Sequence, residues 1–297
     1  MRARIPSVTS ICLALLACFA SVLIAQSSSQ QVLRVRTRLV EVYATIYDSG
    51  GRYVDGLSKD DFEVLEDGKP QEVAIFETNV ERLSCVVLLD TTGSMTEALP
   101  RVKNAVIKLI DSLGPRDSVA IYTFDSQVTQ HQELTTDKAS AKRAVLRLRA
   151  QGQTALFDSI SEVAQDISAQ PGKKAMVVFT DGDDNASMLN STAAVARVQK
   201  LGIPLYTIAE GDALQTPQLK KLLKQLSENT GAMAYEARKG SDIEEIFQEI
   251  SRDLQHLYLI SYKPPQTTSA PGWRKIEVAV KKSGGYRIRA KQGYTAD

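Results

Sequence analysis

Histidine and cysteine are scarce in this chain: 297 residues hold two His and three Cys. Cys12 and Cys18 fall in an apolar amino-terminal stretch, which leaves Cys85 alone in the remainder. A single Cys closes no internal disulfide, so the body of the protein must be held by its core. Inside an apolar run such a residue behaves as a small hydrophobe. Only His131 and His256 are present, neither beside a candidate site loop in the coarse strand–helix order. A lone His is more often structural than a general base, so a Ser–His catalytic pair is not expected. An excess of either charge is also missing: 36 Lys and Arg against 35 Asp and Glu give a formal net charge of +1. That balance argues against a polyanion as the main partner. Internal repeats, a GxGxxG fingerprint and a P-loop are all absent. What is present is a globular composition, 43% hydrophobic and 24% charged.

Long apolar runs are confined to the amino terminus. Arg2 and Arg4 precede the nearly uncharged residues 11–24, and Ala25 is followed by the polar Gln26-Ser27-Ser28-Ser29. This reads as a signal peptide over residues 1–25 with a mature start near Gln26. Leu15-Leu16-Ala17-Cys18 also has the form of a lipoprotein signal that would leave a lipidated Cys18. An uncleaved anchor is the third option, with a short span. Each of the three sends the rest of the chain out of the cytoplasm, to a secreted, periplasmic or envelope location.

The organising stretch is Cys-Val-Val-Leu-Leu-Asp-Thr-Thr-Gly-Ser-Met, residues 85–95. Its first five residues are apolar without alternation, the pattern of a central strand buried on both faces of a parallel sheet. Asp90, Thr92 and Ser94 follow at alternate positions, and Gly93 permits a sharp turn that would converge their oxygens above the strand's carboxyl end. Ligands of open parallel sheets bind at that edge. Hard oxygen donors without His or Cys suit Mg²⁺ or Mn²⁺ rather than zinc.

Asp90-Thr91-Thr92-Gly93-Ser94 resembles the first loop of the metal-ion-dependent adhesion site in von Willebrand factor A domains, with Thr92 where Ser is usual. Gly152-Gln153-Thr154-Ala155-Leu156 resembles the second loop, and Phe179-Thr180-Asp181-Gly182, after an apolar strand, the third. By this resemblance Thr92 and Ser94 would ligate through their hydroxyls and Asp90 directly or through water. Thr154 and Asp181 would complete the site. The resemblance implies a Mg²⁺ or Mn²⁺ ion that captures a carboxylate of a protein partner, with no enzymatic activity. A metal-dependent phosphohydrolase using Asp90, or an envelope subunit with a vestigial site, are the alternatives. Asp183, Asp184 and Asn185 are expected to form a solvated acidic turn before a helix.

Elsewhere the patterning divides the mature chain in three. Residues 26–32 are a Ser/Gln linker, and residues 33–80 have period two, with Val40, Val42, Ala44 and Ile46 on one face. A hairpin is expected there, residues 63–65 turning at Glu66-Asp67-Gly68 and returning along residues 73–76. Residues 81–256 alternate strand and helix, which implies an α/β Rossmann-like, doubly wound and mostly parallel sheet. Residues 257–297 return to β pattern. The leader's Asp-Phe-Glu-Val-Leu-Glu-Asp-Gly and the tail's Arg-Ala-Lys-Gln-Gly-Tyr are similar to flanks found in secreted bacterial proteins related to the A domain. Neither flank has enough apolar positions to close a core, so the two are expected to pair as one antiparallel β unit. Arg287, Arg289 and Lys291 alternate with apolar residues and are expected on a solvated outer face.

Overall fold

The computed structural model describes residues 39–78, 82–182, 184–265 and 272–296. The expected signal peptide, Cys18, the linker and Asp183 lie outside the described residues. The first strand among the described residues is β1 (Val40–Tyr47), followed by β2 (Phe62–Glu66), β3 (Lys69–Gln71) and β4 (Val73–Glu77). The central body contains β5 (Leu83–Asp90), α1 (Leu99–Ser112), β6 (Ser118–Phe124), β7 (Val128–Thr135), α2 (Lys138–Arg147) and α3 (Leu156–Ser168). It continues with β8 (Lys173–Thr180), α4 (Ser191–Leu201), β9 (Leu205–Ala209), α5 (Pro217–Thr230), β10 (Ala234–Glu236) and α6 (Asp242–Gln255). The tail supplies β11 (Tyr258–Tyr262), β12 (Gly272–Val280), β13 (Arg287–Ala290) and β14 (Gly293–Ala296).

The six-stranded sheet has the order β10-β9-β8-β5-β6-β7. Strand β5 is central and pairs in parallel with both β6 and β8, while β7 is the antiparallel edge. All eight residues of β5 are buried because both of its faces are covered. Cys85, Val87 and Leu89 point into a core shared with α1 and α6; Val86 and Leu88 point into one shared with α3 and α5. Each buried Val or Leu contributes about 1.5–3 kcal/mol of gross burial. The unbroken apolar run is thus two period-two faces, both buried. Cys85 is free, fully buried, and its thiol is pushed up to about 12, first by burial.

Leader and tail strands intermix in two four-stranded sheets, β13-β1-β11-β4 and β14-β12-β2-β3. Val42, Ala44, Ile46, Phe62, Val64, Ile260 and Ile276 meet in one core between them. The expected hairpin changes partner: Lys69–Gln71, not Val73–Glu77, pairs back on β2, and β4 crosses to β11 in the other sheet. Strand β3 spans only three residues, so the chain switches sheets within one hairpin.

The tail's basic face departs from expectation at two of its three residues, while Arg287 is exposed as expected. Lys291 is 4% exposed and Arg289 is mostly buried, its Nη2 donating to Thr45 Oγ1 at 2.9 Å and to the carboxylate of Asp253, a buried residue of α6. Asp253 also accepts from the hydroxyls of Tyr47 (3.3 Å) and Tyr206. Nearby, Lys174 N donates to Tyr43 Oη at 3.0 Å and Lys174 Nζ pairs with Glu41 at 3.1 Å. Period-two charge marks a solvated face only where nothing packs on it; here the parallel sheet does. Lys173 and Lys174 open β8, so the β unit sits at the amino-terminal edge of that sheet. The opposite edge, where β5 and β8 end, is left to the loops.

Candidate metal centre

Asp90 is the last residue of β5 and Asp181 the first after β8, the strand beside it. Parallel pairing brings the two carboxylates to one edge although 90 residues separate Thr180 from Asp90 in sequence. Asp90 is fully buried; its Oδ1 accepts from Thr92 N at 2.9 Å and its Oδ2 from Thr180 Oγ1 at 2.8 Å. Burial raises its proton affinity above the usual carboxylate value, against the lowering by these bonds.

After Asp90 the chain makes a short 3-10 turn, Gly93–Thr96, anchored by the buried Met95. That turn lifts Ser94 to the surface and aligns its hydroxyl. Ser94 Oγ lies 2.9 Å from Thr92 Oγ1 and donates to Asp181 Oδ1 at 2.9 Å. Asp181 is pushed up to about 6, first by burial and then by the charge of Asp90, with the Ser94 bond acting the other way. Thr154 is 5% exposed, and a Cβ on Gly182 would lie 3.7 Å from its hydroxyl, so the third loop passes directly beside it.

The second loop is shaped by Gly152, at φ +89°, where a Cβ would come 2.7 Å from Asp125 Cβ. Any L side chain there is strained as well as crowded. The loop is held from the far side by the residues expected to be a solvated turn. Asn185 Oδ1 accepts from Thr154 N at 3.1 Å, and Asn185 N donates to Thr154 O at 3.0 Å. Asp184 Oδ2 accepts from Phe157 N at 2.8 Å and from Ser187 Oγ at 2.6 Å, capping the first turn of α3. Asp184 and Asn185 therefore position Thr154. Their proximity to the Thr-Asp-Gly signature was a signal; the bonds themselves needed the fold. Thr180, adjacent to Asp181 in sequence, is a further residue that spacing alone did not single out.

Among the described residues no group of three or more His, Cys, Asp or Glu forms a metal-ligand cluster. The donor set is instead two carboxylates and three hydroxyls. Among the described residues neither Asp90 nor Asp181 has an ion-pair partner. Two buried carboxylates, each with its proton affinity raised first by burial and Asp181 further by the charge of Asp90, set among hydroxyl oxygens, fit a hard divalent cation. His131 bonds Thr123 at 2.8 Å and His256 bonds Asp55 at 2.9 Å, so neither joins this cluster.

A doubly wound sheet with an oxygen-rich loop cluster at its carboxyl edge defines a class of α/β binding domains. The von Willebrand factor type A domain model matches residues 85–249, and the chain belongs to that family. An uncharacterized protein of Synechocystis sp. is 28% identical over 62% of this chain and 46% of its own length. Pig inter-alpha-trypsin inhibitor heavy chain H4 is 21% identical over 60% of this chain and 21% of its own. The chain thus spans less than half the length of these curated relatives. Among solved structures, a von Willebrand factor type A protein from Catenulispora acidiphila matches with a TM-score of 0.53 at 14% identity, covering 89% of this chain and 75% of that one. Proximal thread matrix protein 1 of the mussel byssus gives a TM-score of 0.53 at 16% identity over 64% of this chain and 51% of its own. These likenesses show the fold. Domains of this family commonly serve as protein-interaction modules.

Proposed function

We propose that the protein is a secreted or envelope-associated binding module that holds Mg²⁺ or Mn²⁺ at Asp90, Thr92, Ser94, Thr154 and Asp181 and captures an Asp or Glu carboxylate of a protein partner. The observation that carries this reading is the bond of Ser94 Oγ to Asp181 Oδ1, 2.9 Å across 87 residues of sequence, continued by Thr92 Oγ1 and flanked by the buried Asp90. A bound divalent ion supplies positive charge and an open coordination position that an external carboxylate can fill. The neutral hydroxyls of Thr92, Ser94 and Thr154 preserve that charge, while Thr180 and the Thr92 amide orient Asp90. Asp184 and Asn185 hold the second loop in place.

The location outside the cytoplasm rests on the amino-terminal sequence, and mass spectrometry of the native protein tests it: a chain beginning at Met1 in a cytosolic fraction refutes it. The binding reading is tested by calorimetric titration of Mg²⁺ into the parent, Asp90→Ala and Asp181→Ala, with pull-down from envelope extract in the presence and absence of chelator. Both substitutions should abolish ion binding while the fold is retained, and partner capture should vanish with chelator and return with Mg²⁺ or Mn²⁺. Unaltered ion binding and capture by Asp90→Ala would refute the reading. Turnover of generic phosphoesters by the parent would favour the hydrolase alternative instead.

A further inference from the structure

Glu210 follows β9 and lies outside the ligand set above. Its amide donates to Thr180 O at 3.0 Å, and the amide of Ala213 donates to Asp181 O at 3.0 Å, so this turn is laid along the third loop. The Glu210 side chain reaches the other way, toward the helix that the first loop leads into. Its Oε1 pairs with Arg101 Nη2 at 3.2 Å, in the first turn of α1. Arg101 Nη1 in turn donates to Glu97 O at 3.2 Å. Gly240 makes the room: a Cβ there would come 2.6 Å from Arg101 Nε. The Glu210 carboxylate is therefore held between the first and third loops. Its side chain is 13% exposed, and its Oε2 is buried without a hydrogen-bond partner. A buried carboxylate oxygen with no donor is a costly arrangement, and a water-borne donor would relieve it. Its charge is also among those that act on Asp181.

We propose that Glu210 is a third carboxylate of the ion site, acting outside the ligand shell: Oε2 accepts a hydrogen bond from water carried by the ion, and Arg101 on Oε1 fixes its position. The inference rests on the ion-site reading of Asp90 and Asp181. Mg²⁺ keeps an ordered octahedral shell with several waters, whereas Ca²⁺ takes more ligands in a looser geometry. An acceptor placed to receive such a water therefore selects Mg²⁺ over Ca²⁺.

The test is titration of Mg²⁺ and of Ca²⁺, by calorimetry, into the parent, Glu210→Gln and Glu210→Asp, with melting temperatures in chelator. Gln keeps the shape and, with its amide oxygen toward Arg101, the acceptor for that guanidinium, but places an N–H donor where Oε2 stands. Asp keeps the charge and withdraws it by one methylene, so its effect is geometric. Both should weaken Mg²⁺ binding about tenfold, the scale of one charge-assisted hydrogen bond. Ca²⁺ binding should change clearly less, so the Mg²⁺/Ca²⁺ preference falls. Melting in chelator should stay near that of the parent. Equal weakening of both ions would reduce Glu210 to a distant charge and overturn the proposal. So would unchanged Mg²⁺ affinity with a lowered melting temperature in chelator, the signature of a structural ion pair. A parent that binds neither ion overturns the site itself, an outcome distinct from failure at Glu210 alone.

Discussion

Replacing Arg289 with Met would strand the Asp253 carboxylate at the junction between the β unit and the parallel sheet. Asp253 is 0% exposed and is compensated, among the described residues, by the cation of Arg289 together with the hydroxyls of Tyr47 and Tyr206. Burial lowers the guanidinium's proton affinity, but the charge and hydrogen bond of Asp253, together with Tyr206 and Tyr47, hold it above its ordinary value. Met keeps most of the aliphatic stem, so little cavity is opened. What is lost is the counter-charge, and breaking a buried pair on one side costs about 3–5 kcal/mol. For a body of this size, about 2–4 °C per kcal/mol converts that to a fall in melting temperature of about 6–20 °C. Arg289 Nε and Nη1 are buried without acceptors, so the pair is not fully satisfied even in the parent. Removing both charges should therefore cost far less than removing one. In Asp253→Asn/Arg289→Met the amide oxygen still accepts from a tyrosine hydroxyl, and more than half of the lost stability should return. The assay is thermal and urea denaturation followed by circular dichroism across the four members of the double-mutant cycle. An Arg289→Met protein melting within about 2 °C of the parent, or a double variant no better than the single, would refute the reasoning.

Other outcomes follow from single sites. Thr92→Ser keeps the hydroxyl bonded to Ser94 and should leave Mg²⁺ affinity nearly unchanged by calorimetry. Gly152→Ala should destabilise by about 1–3 kcal/mol in urea, because the residue sits at φ +89° and meets Asp125. Asp61, 2.8 Å from Lys282, is held down to about 2, first by its bond to Lys282. Its folded pKa is depressed, so its contribution is present above the unfolded value of about 3.9 and is lost as pH falls toward about 2. An NMR carboxyl titration should place its midpoint there, and a midpoint near 4 would contradict it. Cys85, buried with its thiol pushed up to about 12, should resist iodoacetamide at pH 8 in the native protein and react on unfolding, read by mass spectrometry.

The sequence by itself determined the doubly wound sheet and its strand–helix alternation. A strand covered on both faces must be apolar at every position, and residues 85–89 can be read in no other sheet context as simply. It also determined which loops carry the oxygen donors, because Asp90, Thr92, Ser94, Thr154 and Asp181 each follow or border a strand or helix end whose pattern is local. Tertiary structure decided everything that depends on contact between distant segments. Whether Arg289 faces water or Asp253 is not written in period-two alternation, since both faces of a strand look alike until something packs on one of them. Likewise Val73–Glu77 is a strand in either sheet, and only the competition between β2 and β11 for its edge fixes the partner. Asp184 and Asn185 read locally as a polar turn, and acquire their role only because the second loop is folded against them. Propensity and burial are properties of neighbours along the chain; hydrogen-bond partners and counter-charges are properties of neighbours in space.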